Sequence, residues 1–271
     1  GVIGLTTAYF LAKEGVRVLV CEQGQTGMES SWAGAGILPP SDPAHAQHPF
    51  DRLRALSGRL FPDLSRELKE RTGIDNGFTT CGGLEFLDAA SNADPQEWHG
   101  DGIANHSLTA VEARRLEPAL APGLGAMLHL PTMAQLRNPR HLRALRTACL
   151  ASGVTIREET PIVGFVSEGA HVKGVRTSNE VLTGAAVLVA AGAWSARLME
   201  SVGVRLRIEP VRGQIALLNP GRVIFRHILM WGARYLVPRQ DGRVLIGSTE
   251  EHVGFERATT AEGIRGLLEL G

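Results

Sequence analysis

The sequence has 271 residues, 44% of them hydrophobic, and its 28 basic residues balance 28 acidic ones. That length supports one large core or two smaller ones, and a chain without net charge has no overall field to draw it to nucleic acid or an anionic membrane surface. Small neutral or zwitterionic substrates suit such a chain. Cys21, Cys81 and Cys149 are far apart, odd in number and without metal-ligand spacing. They argue against a disulfide framework or zinc site and for a reducing, cytoplasmic setting. No run of about 18 apolar residues is present, so no membrane-spanning helix is expected, and the opening residues lack the basic region and cleavage pattern of a signal peptide.

Leu5, Ala8, Leu11 and Ala12 recur at helical spacing, and Gly15 follows at a C-terminal position. Val16 to Glu22 reads as a buried strand ending on an acid, followed by a glycine-containing loop. Helix then strand is the second half of a βαβ unit, whose first strand would precede Gly1. Ser30 to Gly36 is a run of small residues, and Leu38 to Pro43 is loop. Leu53 to Arg71 is predicted helical, with Leu56, Leu60, Leu64 and Leu68 as its core face. Phe78 to Leu87 and Gly125 to Leu130 are predicted strands, with a charged helix near Leu108 to Leu116 between them. A helix over Arg140 to Ser152 is broken by Gly153 before a strand at Val154 to Arg157. Pro161 to Phe165, Val172 to Thr177 and Val181 to Leu182 form a small antiparallel group, and Ala185 to Ala190 reads as an apolar buried strand. From Leu206 to Thr249 strands and turns alternate, with Asp241-Gly242 as a hairpin signal between Tyr235 to Pro238 and Arg243 to Gly247.

The expected fold is α/β with an α+β substrate part: a Rossmann-like dinucleotide-binding domain (residues 1–75 and 151–200) interleaved with a mostly antiparallel sheet domain (76–150 and 201–271). Gly1 and Gly4 match the second and third glycines of a G-x-G-x-x-G loop, where the second lets backbone approach a pyrophosphate at a helix N-terminus and the third allows close helix–strand packing. Two glycines three apart also begin many ordinary helices. Glu22 sharpens the reading, because it ends a strand eighteen positions after Gly4, where an acid accepts hydrogen bonds from ribose hydroxyls. An acid at this point disfavours the 2′-phosphate of NADP. An NAD domain would normally continue with another helix–strand unit, whereas Ser30 to Leu38 leaves room for an isoalloxazine. Val187 to Ser195 then runs into a small-residue turn where backbone can come close to a cofactor a second time.

Gly1-Val2-Ile3-Gly4-Leu5, Glu22, Ser31-Trp32-Ala33-Gly34-Ala35-Gly36, Ala191-Gly192-Ala193-Trp194-Ser195, Pro210-Val211-Arg212-Gly213-Gln214 and Tyr235-Leu236-Val237-Pro238-Arg239 together resemble the D-amino-acid oxidase family of flavoproteins. The resemblance runs in order along the whole chain. It implies a non-covalent FAD, with a small amino acid and dioxygen as the other reactants. The chemistry it implies is hydride transfer from the α-carbon of a neutral amine to the flavin, giving a 2-oxo acid, ammonium and hydrogen peroxide. The segment Ser31 to Pro39 favours the glycine-oxidising members that serve thiamine (thiazole) biosynthesis. The resemblance places Gly1, Gly4 and Glu22 at the pyrophosphate and ribose. It places Ser31, Ala33, Gly34, Gly36 and Ile37 along the flavin, Ile162 and Val163 at the adenine side, and Ala191, Gly192 and Trp194 at the later cofactor turn. Tyr235 matches a substrate-side tyrosine whose hydroxyl can bond a carboxylate; its other reading is a cross-strand packing aromatic.

The arginine that clamps the substrate carboxylate in this family lies in a later Gly-x-Arg-Pro segment, expected beyond Gly271. Arg212, Arg234 and Arg239 do not match it. With that arginine and the first strand lying outside these 271 residues, the expectation is that this stretch alone has little or no activity. A sarcosine-type oxidase or a D-amino-acid dehydrogenase stays open as an alternative enzyme, and an FAD- or NAD-binding sensor module as a non-enzyme one. Self-association into a homo-oligomer is compatible with all three, and no metal, nucleic-acid or membrane partner is expected.

Overall fold

A computed structural model of the protein describes residues 1–87 and 95–270. In chain order the first half runs through α1 (Val2–Lys13), β1 (Leu19–Cys21), α2 (Ser30–Ala33), β2 (Ile37–Leu38), α3 (Pro49–Thr72), β3 (Thr79–Thr80), β4 (Gly83–Phe86) and α4 (Pro95–Gly100). There follow β5 (His106–Leu108), α5 (Ala110–Leu116), β6 (Met127–Leu130), β7 (Ala134–Gln135), α6 (Asn138–Ala151), β8 (Thr155–Arg157), β9 (Gly164–Glu168), β10 (His171–Arg176) and β11 (Val181–Thr183). A 3-10 turn at Gly192–Trp194 leads into α7 (Ser195–Glu200), and the chain closes with β12 (Ala216–Leu218), β13 (Ile228–Trp231), β14 (Arg234–Pro238), β15 (Val244–Gly247) and α8 (Ala261–Leu268). Two compact units divide these elements: Gly1–Gly34, Leu68–Asp75 and Asn138–Pro210 make the first, and Ala35–Glu67, Asn76–Arg137 and Val211–Gly271 the second.

In the first unit α1 packs on α6, burying Leu5, Ala8 and Tyr9 with Leu142, Leu145, Ala148 and Cys149. The Cys149 thiol donates to the Leu5 carbonyl at 3.3 Å. Gly15 turns the chain out of α1 with φ +77, a left-handed conformation that favours glycine. β1 then pairs in parallel with β8, Leu19 opposite Thr155 and Cys21 opposite Arg157, the pairing that a helical crossover produces. β9, β10 and β11 form the expected antiparallel group. At Gly174, which follows the bulge in β10, a side chain would overlap the Leu182 carbonyl oxygen.

Three expectations are corrected here. The strand expected over Val16 to Glu22 is only Leu19–Cys21, with Leu19 exposed. The stretch Ala185 to Ala190 is neither a strand nor buried: Val187 and Leu188 are exposed. Apolar character predicts a buried strand only where a neighbour supplies the hydrogen-bond ladder, and no described strand pairs with this stretch. In α3 only Leu64 and Leu68 of the leucine stripe are buried, while Leu56 and Leu60 are exposed. Steps of four residues drift about 40° around a helix, so Leu56 lies about 120° from Leu68 and leaves the core face.

The second unit is built on a seven-stranded sheet ordered β12-β15-β14-β13-β4-β6-β5, antiparallel except where β13 meets β4. Alternating residues supply its two faces. One face carries Leu84, Met127, Leu229 and Ile246, covered in part by Ala113 of α5 and Leu267 of α8. An apolar hollow of about 610 Å³ opens on this face, its lining including Phe86, Leu124, Phe225, Leu229, Trp231 and Leu236. The other face carries Leu128, Leu130, Ile228, Val237 and Leu245, against which Ala35, Ile37, Met230 and Tyr235 pack. A small antiparallel sheet β2-β7-β3 holds Ile37 opposite Gln135. Asp241-Gly242 makes the hairpin between β14 and β15 as expected, Gly242 having φ +83.

Candidate functional site

The first unit gathers Gly1, Glu22 and Ser31 around the start of α1. The Val2 N–H donates to Ser31 Oγ at 2.9 Å, and the Gly1 nitrogen lies 3.7 Å from Glu22 Oε2. A Cβ on Gly1 would stand 3.0 Å from Ser31 Oγ, so glycine permits this approach. A Cβ on Gly4 would stand 3.4 Å from the Ala190 methyl, ordinary contact that fits close packing of helix and chain. Glu22 is fixed by its backbone, its N–H donating to Arg157 O at 2.9 Å and its carbonyl accepting from Thr160 N at 2.8 Å. Its Oε1 accepts from Gly24 N at 3.2 Å, leaving the side chain 17% exposed. An anchored, half-open carboxylate beside a helix start is the arrangement that ribose hydroxyls require.

Ser31 and Ala33 lie in the short helix α2, and Gly34 ends it. A Cβ on Gly34 would come within 2.5 Å of Asn138 Nδ2, which donates to the Ser31 carbonyl at 2.8 Å. Asn138, at the start of α6, stands in no motif that singles it out, since an Asn-Pro dipeptide by itself signals only a turn. The oxygen of that amide, Asn138 Oδ1, is buried with no hydrogen-bond partner among the described residues. Ala191, Gly192 and Trp194 form the 3-10 turn, with Trp194 N donating to Ala191 O at 3.1 Å. Gly192 has φ +53 and nothing within 4 Å of its absent side chain, so the backbone conformation and not crowding calls for glycine there. Ile162 is half-buried and Val163 exposed, and the Val163 N–H is committed to Arg176 O at 2.8 Å.

In the second unit Gly36 has φ +71 and its carbonyl accepts from Leu136 N at 2.9 Å. Arg239 is buried beneath this segment. Its Nη2 donates to Ala35 O at 2.7 Å, and its Nη1 to Gln135 Oε1 at 2.7 Å and Leu136 O at 3.0 Å. Burial, with Arg137 nearby, pushes the guanidinium down to about 10. Gln135 completes the network by donating to Pro238 O at 2.8 Å. Tyr235 sits on β14 opposite Gly247 of β15, and a Cβ at Gly247 would lie 2.5 Å from the tyrosine ring. The ring thus occupies the space that glycine leaves. Of the other two arginines, Arg212 forks onto Glu251, with Nε at 3.1 Å and Nη2 at 2.5 Å. The Thr249 hydroxyl, Arg212 and Gln214 together hold the Glu251 carboxyl down to about 2. Arg234 donates to Gly266 O at 2.6 Å.

A family model described as DAO, FAD dependent oxidoreductase, matches residues 1–270. The chain belongs to this family of FAD-dependent oxidoreductases. Glycine oxidase from Pseudomonas putida is 38% identical over 271 residues, covering 98% of this chain and 73% of that protein. The crystal structure of glycine oxidase from Geobacillus kaustophilus superimposes with a TM-score of 0.90 at 31% identity, covering 100% of this chain and 74% of that one. The bifunctional protein ThiO/ThiG of Nostoc is 26% identical over 277 residues, covering 99% of this chain and 41% of that protein. The fold and cofactor expected from the sequence are those of the FAD-dependent oxidoreductases. The chain's own residues fit FAD: glycine at positions 1 and 34, where a side chain would crowd Ser31 and Asn138, and the anchored Glu22 carboxylate. Among the described residues no helix is long and apolar enough to cross a membrane, and no group of His, Cys, Asp and Glu could hold a metal ion.

Proposed function

We propose that this FAD-dependent oxidoreductase oxidises glycine or a similar small amino acid. Glycine, dioxygen and water would give glyoxylate, ammonium and hydrogen peroxide. The observation that carries the reading is the apolar cluster of the second unit, in which Tyr235 packs on the same sheet face as Ala35 and Ile37 of the flavin-side segment. A substrate-side hydroxyl and a flavin-side segment on one face are what amino-acid oxidation requires. FAD supplies the hydride acceptor when bound. The protein then has to orient the α-carbon and exclude competing geometry, tasks that need no side-chain acid or base at the hydride step.

In this reading Gly1, Gly4 and Glu22 hold the pyrophosphate and ribose, and Ser31, Ala33, Gly34, Gly36 and Ile37 line the flavin. Ile162 and Val163 meet the adenine side, and Ala191, Gly192 and Trp194 the cofactor a second time. Tyr235 bonds the substrate carboxylate. Nucleotide work falls to residues 1–75 and 151–200 and substrate work to 76–150 and 201–271, in a cytoplasmic protein. The ThiO/ThiG relatives support a place in thiamine biosynthesis, and three free cysteines fit a reducing setting. Peroxide release from glycine, sarcosine and D-alanine tests the reading: glycine should be turned over at least as efficiently as the others. A clear preference for a bulky D-amino acid would defeat it.

A further inference from the structure

Register places five residues in one row across the Tyr235 face: Leu128 on β6, Glu85 on β4, Met230 on β13, Tyr235 on β14 and Gly247 on β15. Glu85 is the acidic residue of the seven strands; their other formally charged member is Arg234, which alternation places on the opposite face. One carboxyl oxygen of Glu85 is shut from solvent and has no hydrogen-bond partner among the described residues. Its surroundings are apolar, since Leu87, Leu128 and Met230 all belong to the cluster on this face. A buried carboxylate oxygen without a donor is costly, and native proteins rarely keep one without use.

We infer that Glu85 recognises the amino group of the substrate, its free oxygen accepting a hydrogen bond from that nitrogen while Tyr235 takes the carboxylate. The inference rests on the amino-acid oxidase reading above. Two strand spacings separate Glu85 from Tyr235, roughly 10 Å between Cα atoms, a span that a small amino acid with a hydrogen bond at each end can bridge. Desolvation raises the Glu85 carboxyl above its ordinary range, as expected for an acid whose hydrogen-bond donor arrives with the ligand.

The test compares the flavin-loaded full-length wild type with its Glu85→Gln and Glu85→Leu variants. In Glu85→Gln, KM for glycine and sarcosine should rise roughly 10- to 100-fold, the worth of a charge-assisted hydrogen bond, with kcat little changed. Inhibition by acetate, which has the carboxylate but no amine, should be unchanged or tighter. Glu85→Leu removes the unpartnered carboxyl and should raise the melting temperature by about 2–4 °C, a readout that needs no turnover. An unchanged glycine KM, a parallel loss of acetate binding, or a lower melting temperature for Glu85→Leu would each overturn the role of Glu85. Full-length wild type that oxidises none of the amines would instead overturn the amino-acid reading on which it rests.

Discussion

Tyr235 and Gly247 act as a pair. The ring stands where a Cβ at position 247 would be, so the glycine sets the direction of the phenol as much as the strand does. Gly247→Ala should therefore displace the ring and raise the amino-acid KM along with a lower melting temperature. Tyr235→Phe keeps the packing and removes the hydroxyl, so it should raise KM roughly 10-fold or more with an unchanged melting temperature. Steady-state peroxide kinetics beside a thermal melt separates the two effects. If Tyr235→Phe lost stability and left KM alone, Tyr235 would be a packing aromatic only. The tyrosine was legible in the sequence through Tyr-Leu-Val-Pro-Arg. Glu85 was not, because no motif surrounds it, and only strand register puts it in line with Tyr235.

At the scale of elements, Arg239 ties the segment around Ala35 to β7 through three acceptors. Arg239→Met would leave those acceptors buried and unpaired, at a cost of about 2–4 kcal/mol, which urea unfolding should show. A loss under about 0.5 kcal/mol would mean that the network carries no weight. In α6, His141 is buried and desolvation pushes its imidazole down to about 4. The folded state then binds fewer protons than the unfolded state between about pH 6.5 and 4. Stability is complete above that window and falls as pH drops through it, by roughly 3 kcal/mol in all. His141→Gln should flatten the melting temperature across pH 4–7, and a slope equal to wild type would contradict this origin. Helices with clear spacing and end signals, such as α1 and α6, were legible from sequence. Strands were legible only where partners exist, and this separates the hairpin at Asp241-Gly242 from the unpaired stretch Ala185 to Ala190.

Taken whole, the molecule should gain stability from its cofactor by mass action. FAD at a hundredfold excess over its Kd should add about 2.7 kcal/mol, seen as a thermal shift, whereas NADP should give none because Glu22 opposes its 2′-phosphate. Equal shifts from both would remove the dinucleotide selectivity read from that acid. The order of glycine motif, ribose acid, small-residue run and later turn was legible because each phrase answers a local demand of backbone or charge. The second unit's chemistry was less so, since strands distant in sequence assemble it.

The 610 Å³ hollow lined by Phe86, Leu229 and Trp231 has a practical consequence for spectroscopy. A naphthalenesulfonate dye should light up on the native protein, a signal usually taken to mean loosened packing. Trp231 would report the dye by energy transfer while near-ultraviolet dichroism stayed native, so dye fluorescence alone would misdiagnose a well-folded sample as a molten one.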